Sequence, residues 1–529
     1  MLLWVMLGCY VSADERQAAY DRDEDGQVAM VLGGTDCDDS NPDVYLGAFE
    51  SCLDGIDSDC DGELCPLRTD ISLDSIVPYA AGEVGEQFGT FGAILDFSGD
   101  GIDDLILSIP QGGEDLGMVV VVPGPLGDDD LEERLGEAMF IVSDEYAELH
   151  LDTVLDMDGD GLGELILTAT DLDPNYGTQA RNIHFRASAF EVGEVFTSEL
   201  SARLTGGEWQ DYEEFENEPE IDYDELFIGG VDNVGDQDGD GSEDLFIRAP
   251  YNGYGGVALL ITSDLDGSGA QGSAVASIGV ERGTALALLG EIGGRGPDIN
   301  GDGIAEIIVG TSDFDLPIEP AGLYYEDVGG IFLFEGPLQG ALVHTDASFR
   351  ISGSYAEAPL ADATSIGDTD GDGYEELGVY IRSGGGDIAI FRTFDEDDPL
   401  YLAQSSDVYL YGGIASEITS EFGEAMISYD VDQDGLNDLI VSAPTEPTLD
   451  GWAAEGLGST YLFYGPVSGV QSPDHAAARW QAGQGDWLLA PPMVGDLDAD
   501  KRADLVLPYV GDLKVEGHLY FLSDAFSGL

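Results

Sequence analysis

The chain of 529 residues is short of basic side chains. It has 17 Lys plus Arg against 107 Asp plus Glu, a formal net charge of −90, and its only lysines are Lys501 and Lys514. A negative field of this strength repels nucleic-acid phosphates and anionic membrane surfaces. We therefore predict no nucleic-acid partner, and contact with a membrane only through a lipid anchor. General acidity that serves solubility is the simpler alternative explanation of the charge.

Long apolar segments and catalytic motifs are also missing. No stretch approaches the ~20 apolar residues that a transmembrane helix needs. The five histidines are scattered singly, without the spacing of metal ligands. No nucleophile-elbow, zinc-protease or phosphate-cradling motif stands out. We therefore predict that the protein is not an enzyme.

What the chain does contain is one acidic loop in seven copies, each running into an apolar strand. The copies begin at Asp96, Asp156, Asp236, Asp298, Asp368, Asp430 and Asp496, at spacings of 60 to 80 residues. We number them loop 1 to loop 7 and count positions within each from its first Asp. A repeat of this length indicates an array of one supersecondary unit.

The loops have the ligand pattern of a calcium site. Oxygen-bearing side chains stand at positions 1, 3 and 5, and Gly usually follows at position 6. Ca²⁺ takes six to eight oxygen ligands, and the Gly permits a sharp turn around the ion. Position 12, a Glu in the helical EF-hand, is apolar in all seven copies, whereas position 9 is always acidic. The loops are therefore predicted to lie between two strands, and plain polar turns are the alternative.

The predicted ligands of the seven sites are the residues at positions 1, 3, 5 and 9. They are Asp96, Ser98, Asp100 and Asp104; Asp156, Asp158, Asp160 and Glu164; Asp236, Asp238, Asp240 and Asp244; Asp298, Asn300, Asp302 and Glu306; Asp368, Asp370, Asp372 and Glu376; Asp430, Asp432, Asp434 and Asp438; and Asp496, Asp498, Asp500 and Asp504. Up to seven Ca²⁺ ions follow from this set.

Loop 7 is expected to bind most weakly. Lys501 stands at position 6, where Gly belongs. A non-Gly residue there must adopt the left-handed conformation at a cost of about 1 kcal/mol, and its positive charge faces the ion.

Four short strands per unit, with turn residues between them, predict an all-β array of propeller blades. The first loop, for example, is followed by DLILSIP and then by a Gly-led strand from Met118. After loop 7 only two further strands precede Leu529, and the missing fourth has a candidate in Asp70–Val77. We therefore predict that Asp70–Val77 completes the last blade, since closure removes unpaired sheet edges.

The repeat resembles the FG-GAP family, the blades of the seven-bladed propeller at the N-terminus of integrin α-chains and of bacterial relatives. The resemblance rests on the acidic loops, on Phe88-Gly89 and Phe422-Gly423, and on Ala249-Pro250 and Ala443-Pro444, and it covers residues 70–529. It implies calcium ions in loops on one face of the propeller and partners on the opposite face.

Residues 20–66 form a different module, rich in Asp and Cys. Its sequence resembles an Asp/Cys metal-binding motif of bacterial surface proteins, sometimes catalogued as copper-binding. Thiolates would favour copper or zinc, whereas disulfides would leave oxygen ligands and favour calcium. We predict two disulfides and one or more Ca²⁺ ions; the cysteines are Cys37, Cys52, Cys60 and Cys65, with three possible pairings. Asp21, Asp23 and Asp25 are predicted ligands.

Residues 1–19 are interpreted as a signal remnant and linker. MLLWVMLGC resembles the end of a lipoprotein signal peptide, with Cys9 as the lipidated residue, although it lacks basic residues and is short. A start codon further upstream would account for both departures. An ordinary odd cysteine is the alternative. The expected location is the cell surface or outer membrane, or outside the cell.

The leading functional hypothesis is a monomeric surface propeller that binds a protein partner or a matrix component. A sugar-binding propeller is the first alternative, with Trp209, Trp452, Trp480 and Trp487 as candidate stacking platforms, although burial is the commoner fate of such residues. Metal sequestration is the second.

Overall fold

A computed structural model describes the strand-forming part of the chain. The described residues are 69–73, 80–81, 91–109, 117–126, 140–144, 147–157, 159, 161–172, 179–185, 193–196, 202–205, 229–250, 255–262, 274–280, 288–318, 323–325, 327–353, 358–383, 385–394, 400–412, 421–444, 458–481, 491–509, 518–523 and 525–526. The N-terminal module and Cys9 lie outside them.

Thirty-five strands are described, and the regular helices among these residues are three short 3-10 turns at His344–Asp346, Ala403–Ser405 and Pro473–His475. The first strands are β1 (Thr69–Ser72), β2 (Ala80–Ala81), β3 (Phe91–Leu95), β4 (Asp104–Ile109), β5 (Gly117–Val122), β6 (Phe140–Asp144), β7 (Ala147–Leu155), β8 (Glu164–Leu172), β9 (Gln179–Phe185), β10 (Gly193–Phe196), β11 (Ala202–Thr205), β12 (Gly230–Asn233), β13 (Leu245–Ala249), β14 (Val257–Ile261), β15 (Ala274–Gly279), β16 (Ile292–Arg295) and β17 (Ile307–Thr311).

The remaining strands are β18 (Leu316–Ile318), β19 (Leu323–Tyr325), β20 (Gly330–Phe334), β21 (Gly340–Val343), β22 (Phe349–Ser352), β23 (Leu360–Ser365), β24 (Leu377–Ile381), β25 (Asp387–Phe391), β26 (Leu400–Leu402), β27 (Val408–Tyr411), β28 (Met426–Tyr429), β29 (Asp438–Ala443), β30 (Ser459–Phe463), β31 (Val470–Gln471), β32 (Ala478–Gln481), β33 (Met493–Gly495), β34 (Asp504–Tyr509) and β35 (His518–Leu522). The all-β prediction is confirmed for the described residues, and none of their helices has the length and apolarity to cross a bilayer.

Each acidic loop joins the first and second strands of one sheet. We number the sheets after their loops: sheet 1 (β3, β4, β5, β6), sheet 2 (β7, β8, β9, β11), sheet 3 (β12, β13, β14, β15), sheet 4 (β16, β17, β20, β22), sheet 5 (β23, β24, β25, β27), sheet 6 (β28, β29, β30, β32) and sheet 7 (β33, β34, β35, β2). Neighbouring strands within each sheet are antiparallel. The predicted position of the loops, between two strands, is confirmed.

Among the described residues, the core is divided into seven hydrophobic clusters, and each cluster is shared by two consecutive sheets. The series includes sheets 7 and 1, where Met493 and Val506 pack with Leu105 and Val120. The second strands are therefore buried on both faces, as in β4 and β29, where every residue is buried. This two-sided burial explains their continuous aliphatic sequences. The result is a propeller-like array.

The N-terminal segment pairs differently from the prediction for Asp70–Val77. β1 runs parallel to β32 and extends sheet 6, while β2 pairs antiparallel with β35 and is the fourth strand of sheet 7. Sheets 3, 4 and 5 likewise gain a fifth, parallel strand from the segment between the third and fourth strands of the next sheet. β31 precedes the fourth strand of sheet 6 along the chain and extends sheet 5. In the same way, β1 precedes the fourth strand of sheet 7, β2, and extends sheet 6. The prediction was wrong in assigning residues 70–72 to the last sheet, and its residues 74–77 lie outside the described part of the chain.

Two further contacts fix the N-terminal segment. Asp70 forms an ion pair with the buried Arg479 of sheet 6, with 2.9 Å between the carboxylate oxygen and Nε. Leu73 is fully buried in the cluster shared by sheets 6 and 7, where Trp480 and Leu505 also lie. The segment therefore contributes to the core between these sheets as well as to their edges.

We predict that Leu73→Ala lowers the free energy of unfolding by ~2–5 kcal/mol, because it leaves a cavity in a closely packed cluster. The matched control is Leu400→Ala, since Leu400 is 48 % exposed and its loss should change stability by no more than ~0.5 kcal/mol. Thermal and urea unfolding of the full chain measure both. Equal, small effects would show that the N-terminal segment adds nothing to the core.

Candidate metal sites

The first Asp of each loop organises the loop backbone around itself. In loop 3, the Asp236 carboxylate accepts hydrogen bonds from the backbone N–H groups of Gly239, Asp240 and Gly241, at 2.7, 3.1 and 2.9 Å. Loops 4 and 6 repeat the bonds from positions 5 and 6. The chain therefore wraps around the position-1 carboxylate, which leaves the carboxylates of positions 3 and 5 beside it.

Positions 4 and 6 adopt the left-handed backbone conformation that this wrapping requires. In loop 3 they are Gly239 and Gly241, with φ of 80° and 96°. Loop 7 has Ala499 and Lys501 there, with φ of 64° and 71°, so the strained conformation predicted for Lys501 is confirmed. The Lys501 N–H still donates to Asp496 at 3.0 Å. The lysine therefore keeps the loop shape, and weak binding by loop 7 stays a prediction.

Four loops bring three or more carboxylates together, with one oxygen of each within 4.8 Å of the others. Loop 5 gathers all four of its acids, and loops 3, 6 and 7 gather three each. The groups are Asp368, Asp370, Asp372 and Glu376; Asp236, Asp238 and Asp244; Asp430, Asp432 and Asp438; and Asp496, Asp498 and Asp500. Oxygen donors alone make up these groups, and such sets suit hard cations such as Ca²⁺, Mg²⁺ and Mn²⁺.

The position-9 acid is buried and held by the backbone. The Asp438 carboxylate, 1 % exposed, accepts from the N–H groups of Val431 and Gly465, both at 2.9 Å. Burial raises the pKa of Asp438 to about 6 and that of Glu306 to about 7. Holding these groups ionised is therefore costly until a cation compensates the charge. The acids at position 9 close the loop as well as offering ligands.

In loop 5, the hydrogen bonding of the Glu376 carboxylate indicates a cation site. Oε2 of Glu376 accepts from the backbone N–H and the hydroxyl of Thr369, both at 2.6 Å. Oε1 of the same carboxylate is buried, and the described residues offer it no hydrogen-bond partner. A buried carboxylate oxygen without a donor is unfavourable, and a cation among the loop-5 acids would satisfy it. The residues of loop 5 therefore fit the metal.

The other three loops are less complete. The acids of loops 1 and 4 are not gathered in this way among the described residues. In loop 4 the Asn300 amide nitrogen donates to Glu306 at 3.2 Å, and its oxygen accepts from the Asp302 N–H at 2.8 Å. Asp158 and Asp160 of loop 2 lie outside the described residues, as do Asp21, Asp23, Asp25 and the four cysteines of the N-terminal module.

Position 8 carries contacts that the sequence did not reveal. Glu243 of loop 3 accepts from the Asp156 N–H of loop 2 at 2.7 Å, and Asp103 of loop 1 accepts from the Asp496 N–H of loop 7 at 2.9 Å. Each of these two bonds joins the first ligand of one loop to the next loop. Glu375, at position 8 of loop 5, instead accepts from the side chain of Arg295, which precedes loop 4. Position 8 varies among the copies between Asp, Gly, Glu, Ala and Asn, which hid the pattern.

A separate group of charged residues lies on the first and second strands of sheet 3, β12 and β13. Arg248 makes a two-pronged ion pair with Asp232, with Nε–Oδ2 and Nη2–Oδ1 distances of 2.6 and 3.2 Å. Its Nη1 donates to the Glu291 carbonyl of sheet 4 at 3.0 Å. The carboxylate of Asp362, on sheet 5, also interacts electrostatically with Arg248. These charges therefore connect sheets 3, 4 and 5.

Comparisons with known proteins bear on the N-terminal module first. Residues 36–64 match a family model that describes a metal-binding motif, Cu-binding_MopE. Two crystal structures of BBS1N in complex with ARL6DN are similar to most of the chain at 10% identity. The match to the lead-soaked structure covers 90% of this chain and 96% of that chain, with a TM-score of 0.41. The match to the mercury-soaked structure covers 84% of this chain and 94% of that chain, with a TM-score of 0.43.

The raised pKa of Glu306 predicts a pH dependence of the metal-free protein. The pKa rises from 4.5 to about 7 on folding, so the folded state binds more protons between these values and its stability falls as pH rises through that window. Glu306→Gln should flatten this fall relative to Asp346→Asn, an exposed control that removes the same charge. Melting temperatures in chelator from pH 4.5 to 7.5 measure it. Parallel curves for the two variants would contradict the assignment.

Proposed function

We propose that the protein is an exported surface propeller that Ca²⁺ stabilises and that binds a protein partner or a matrix component. The observation that carries the proposal is the repetition of one oxygen-lined loop at the same strand junction of all seven sheets. Ca²⁺ is the cation that combines hard oxygen ligands, high coordination number and tolerance of irregular geometry. Loops 3, 5, 6 and 7 are its best-formed sites.

The seven sheets are proposed to be the blades of a closed ring. The cluster shared by sheets 7 and 1 and the pairing of β2 with β35 support closure. A closed ring leaves only short, protected sheet edges. The resemblance to FG-GAP repeats agrees with this architecture.

A binding role fits the distribution of charge and of loops. The cation loops share one end of the sheets, since each lies between a first and a second strand and touches its neighbour. We infer that a partner binds at the other end, as the resemblance implies. A net charge of −90 would accelerate the approach of a partner with a basic surface and repel an acidic one. Binding, rather than catalysis, is the proposed activity.

Anchoring and disulfide formation belong to the same proposal. An exported chain would carry its lipid on Cys9 and two disulfides among the four cysteines of residues 20–66. The match of residues 36–64 to a metal-binding motif supports a further cation in that module. Thiol titration of the denatured protein separates the alternatives, because four free thiols there would favour copper or zinc.

A sugar-binding role has less support. Trp480 is 1 % exposed and packs edge-on against Phe526, with ring centroids 5.7 Å apart. It is therefore part of the core and not a stacking platform. Trp209, Trp452 and Trp487 lie outside the described residues. Metal sequestration as the main role would require affinities far tighter than the ~10⁻⁴–10⁻³ M of extracellular calcium modules.

We predict that chelation lowers the melting temperature strongly and that the calcium-loaded protein holds five or more ions per chain. Each site that binds only the folded state adds RT ln(1 + [L]/Kd), or ~2.7 kcal/mol when Ca²⁺ is at one hundred times Kd. Thermal melts in Ca²⁺ and in chelator, with elemental analysis of the same sample, measure both quantities. An unchanged melt with no bound ions would mean that the loops are only turns.

The partner class is tested by presenting the calcium-loaded chain to immobilised extracellular-matrix proteins and to a glycan array. We expect saturable binding to a protein, lost in chelator and weakened by salt, because the predicted contact is partly electrostatic. Bovine serum albumin serves as the acidic control surface. Binding to defined glycans, with silence across the proteins, would support the sugar-binding role instead.

A further inference from the structure

Loops 4 and 5 are joined by a two-pronged ion pair and by a ring contact. Oε1 and Oε2 of Glu375, at position 8 of loop 5, accept from Nη2 and Nη1 of Arg295, at 2.9 and 3.0 Å. Arg295 precedes loop 4 by three residues. The Ser365 hydroxyl also donates to Glu375 at 2.8 Å. Glu375 is therefore fixed by groups of both sheets.

A second contact joins the same two loops. Tyr374, at position 7 of loop 5, lies over Gly301 at position 4 of loop 4, where an added Cβ would stand 2.8 Å from the ring. Gly301 has φ of 72° and belongs to the turn around Asp298. The shape of loop 4 is thus set in part by two consecutive residues of loop 5.

These contacts connect ligand to ligand. Glu375 precedes Glu376, whose carboxylate lies among the acids of loop 5. Glu375 holds the Arg295 guanidinium, three residues before Asp298, the first predicted ligand of loop 4. Tyr374 packs on Gly301, whose N–H donates to the Asp298 carboxylate. A cation that orders loop 5 would therefore also hold the chain on both sides of Asp298 in place. The second cation then removes less conformational freedom, which gives cooperative binding without a large structural change.

We propose that loops 4 and 5 bind cations as a coupled pair, with Glu375 as the positioning residue between them. The inference rests on the proposed cation binding of the loops. Because coupling is reciprocal, occupancy of either loop raises the affinity of the other by the same factor. In loops 2 and 3, and in loops 7 and 1, the position-8 acid (Glu243 or Asp103) instead accepts directly from the N–H of the neighbouring loop's first Asp.

Tyr374 provides a local reporter. Tb³⁺ binds oxygen ligands as Ca²⁺ does, and a nearby tyrosine sensitises its luminescence. The part of the signal lost in Tyr374→Phe then reports loops 4 and 5. Asp302→Asn weakens loop 4 and Asp372→Asn weakens loop 5, and in each the amide oxygen still accepts the backbone bond of position 7. All variants are made in the full chain, with and without Tyr374→Phe.

We expect Asp302→Asn to raise the Tb³⁺ concentration that half-fills loop 5 by ~5-fold or more, and Asp372→Asn to raise that of loop 4 by the same factor. Adding Glu375→Ala should bring both factors close to one. If that variant does not fold, Glu375→Gln replaces it with the same expected direction, because it loses one of the two acceptor oxygens. An unchanged midpoint of loop 5 in Asp302→Asn overturns the coupling.

Loops 6 and 7 supply the control pair in a Gln433→Gly background. Position 8 of loop 7 is Ala503, and the added substitution removes the bond from Gln433 Nε2 to the Lys501 carbonyl that otherwise joins the two loops. Tyr429, next to Asp430, reports this pair, and Asp500→Asn should leave the midpoint of loop 6 within about twofold. A shift as large as that of loops 4 and 5 would overturn the role given to position 8. No Tyr374-dependent signal in the unmodified chain would instead refute cation binding by these loops.

Discussion

The second strand of each sheet is buried on both faces, and this burial constrains the rest of the structure. A sheet can be covered on both faces only if it has a neighbour on each side, so an open row would leave its two end sheets half exposed to water. The cluster shared by sheets 7 and 1 meets this requirement. Burying an apolar side chain such as that of Leu105 or Leu505 stabilises the folded state by ~1.5–3 kcal/mol. The packing of the sheets places the acidic loops side by side.

The crowding of the loops sets their electrostatics. Position 9 is buried at the entry to the second strand, where Asp104 and Glu376 both have raised pKa values because burial disfavours the charged form. Other acids add to this: after burial itself, repulsion from Asp496 of the neighbouring loop 7 and from Asp96 of the same loop raises the pKa of Asp103 further. Glu375 is the exception, since hydrogen bonds and charge from Arg295 outweigh burial and lower its pKa. Cations would relieve most of this repulsion and Arg295 relieves part of it.

Much of the fold could be predicted because its signals are local. The aliphatic residue at position 10, Leu105 or Ile307 for example, correctly marks a buried strand, and the strained backbone of Lys501 follows from its place in the repeat. The pairing of β1 could not be predicted, because TDIS fits the edge of any sheet and its partner, β32, lies some four hundred residues away. The contacts of Glu243 and Glu375 were missed for a similar reason: they run between repeats, and only three of the seven copies have an acid at that position.

The pairing of Ala80 with Leu519 also has a consequence for the order of folding. Local hairpins such as β13–β14 can form as soon as they are synthesised, but sheet 7 must wait until β35 has emerged. Contacts of such high sequence separation form slowly, because a very long loop has to close first. Until then the apolar faces of sheets 1 and 7 stay uncovered, and a chain in this state is prone to aggregate. The acidity of the chain would keep such open intermediates apart from one another during that interval.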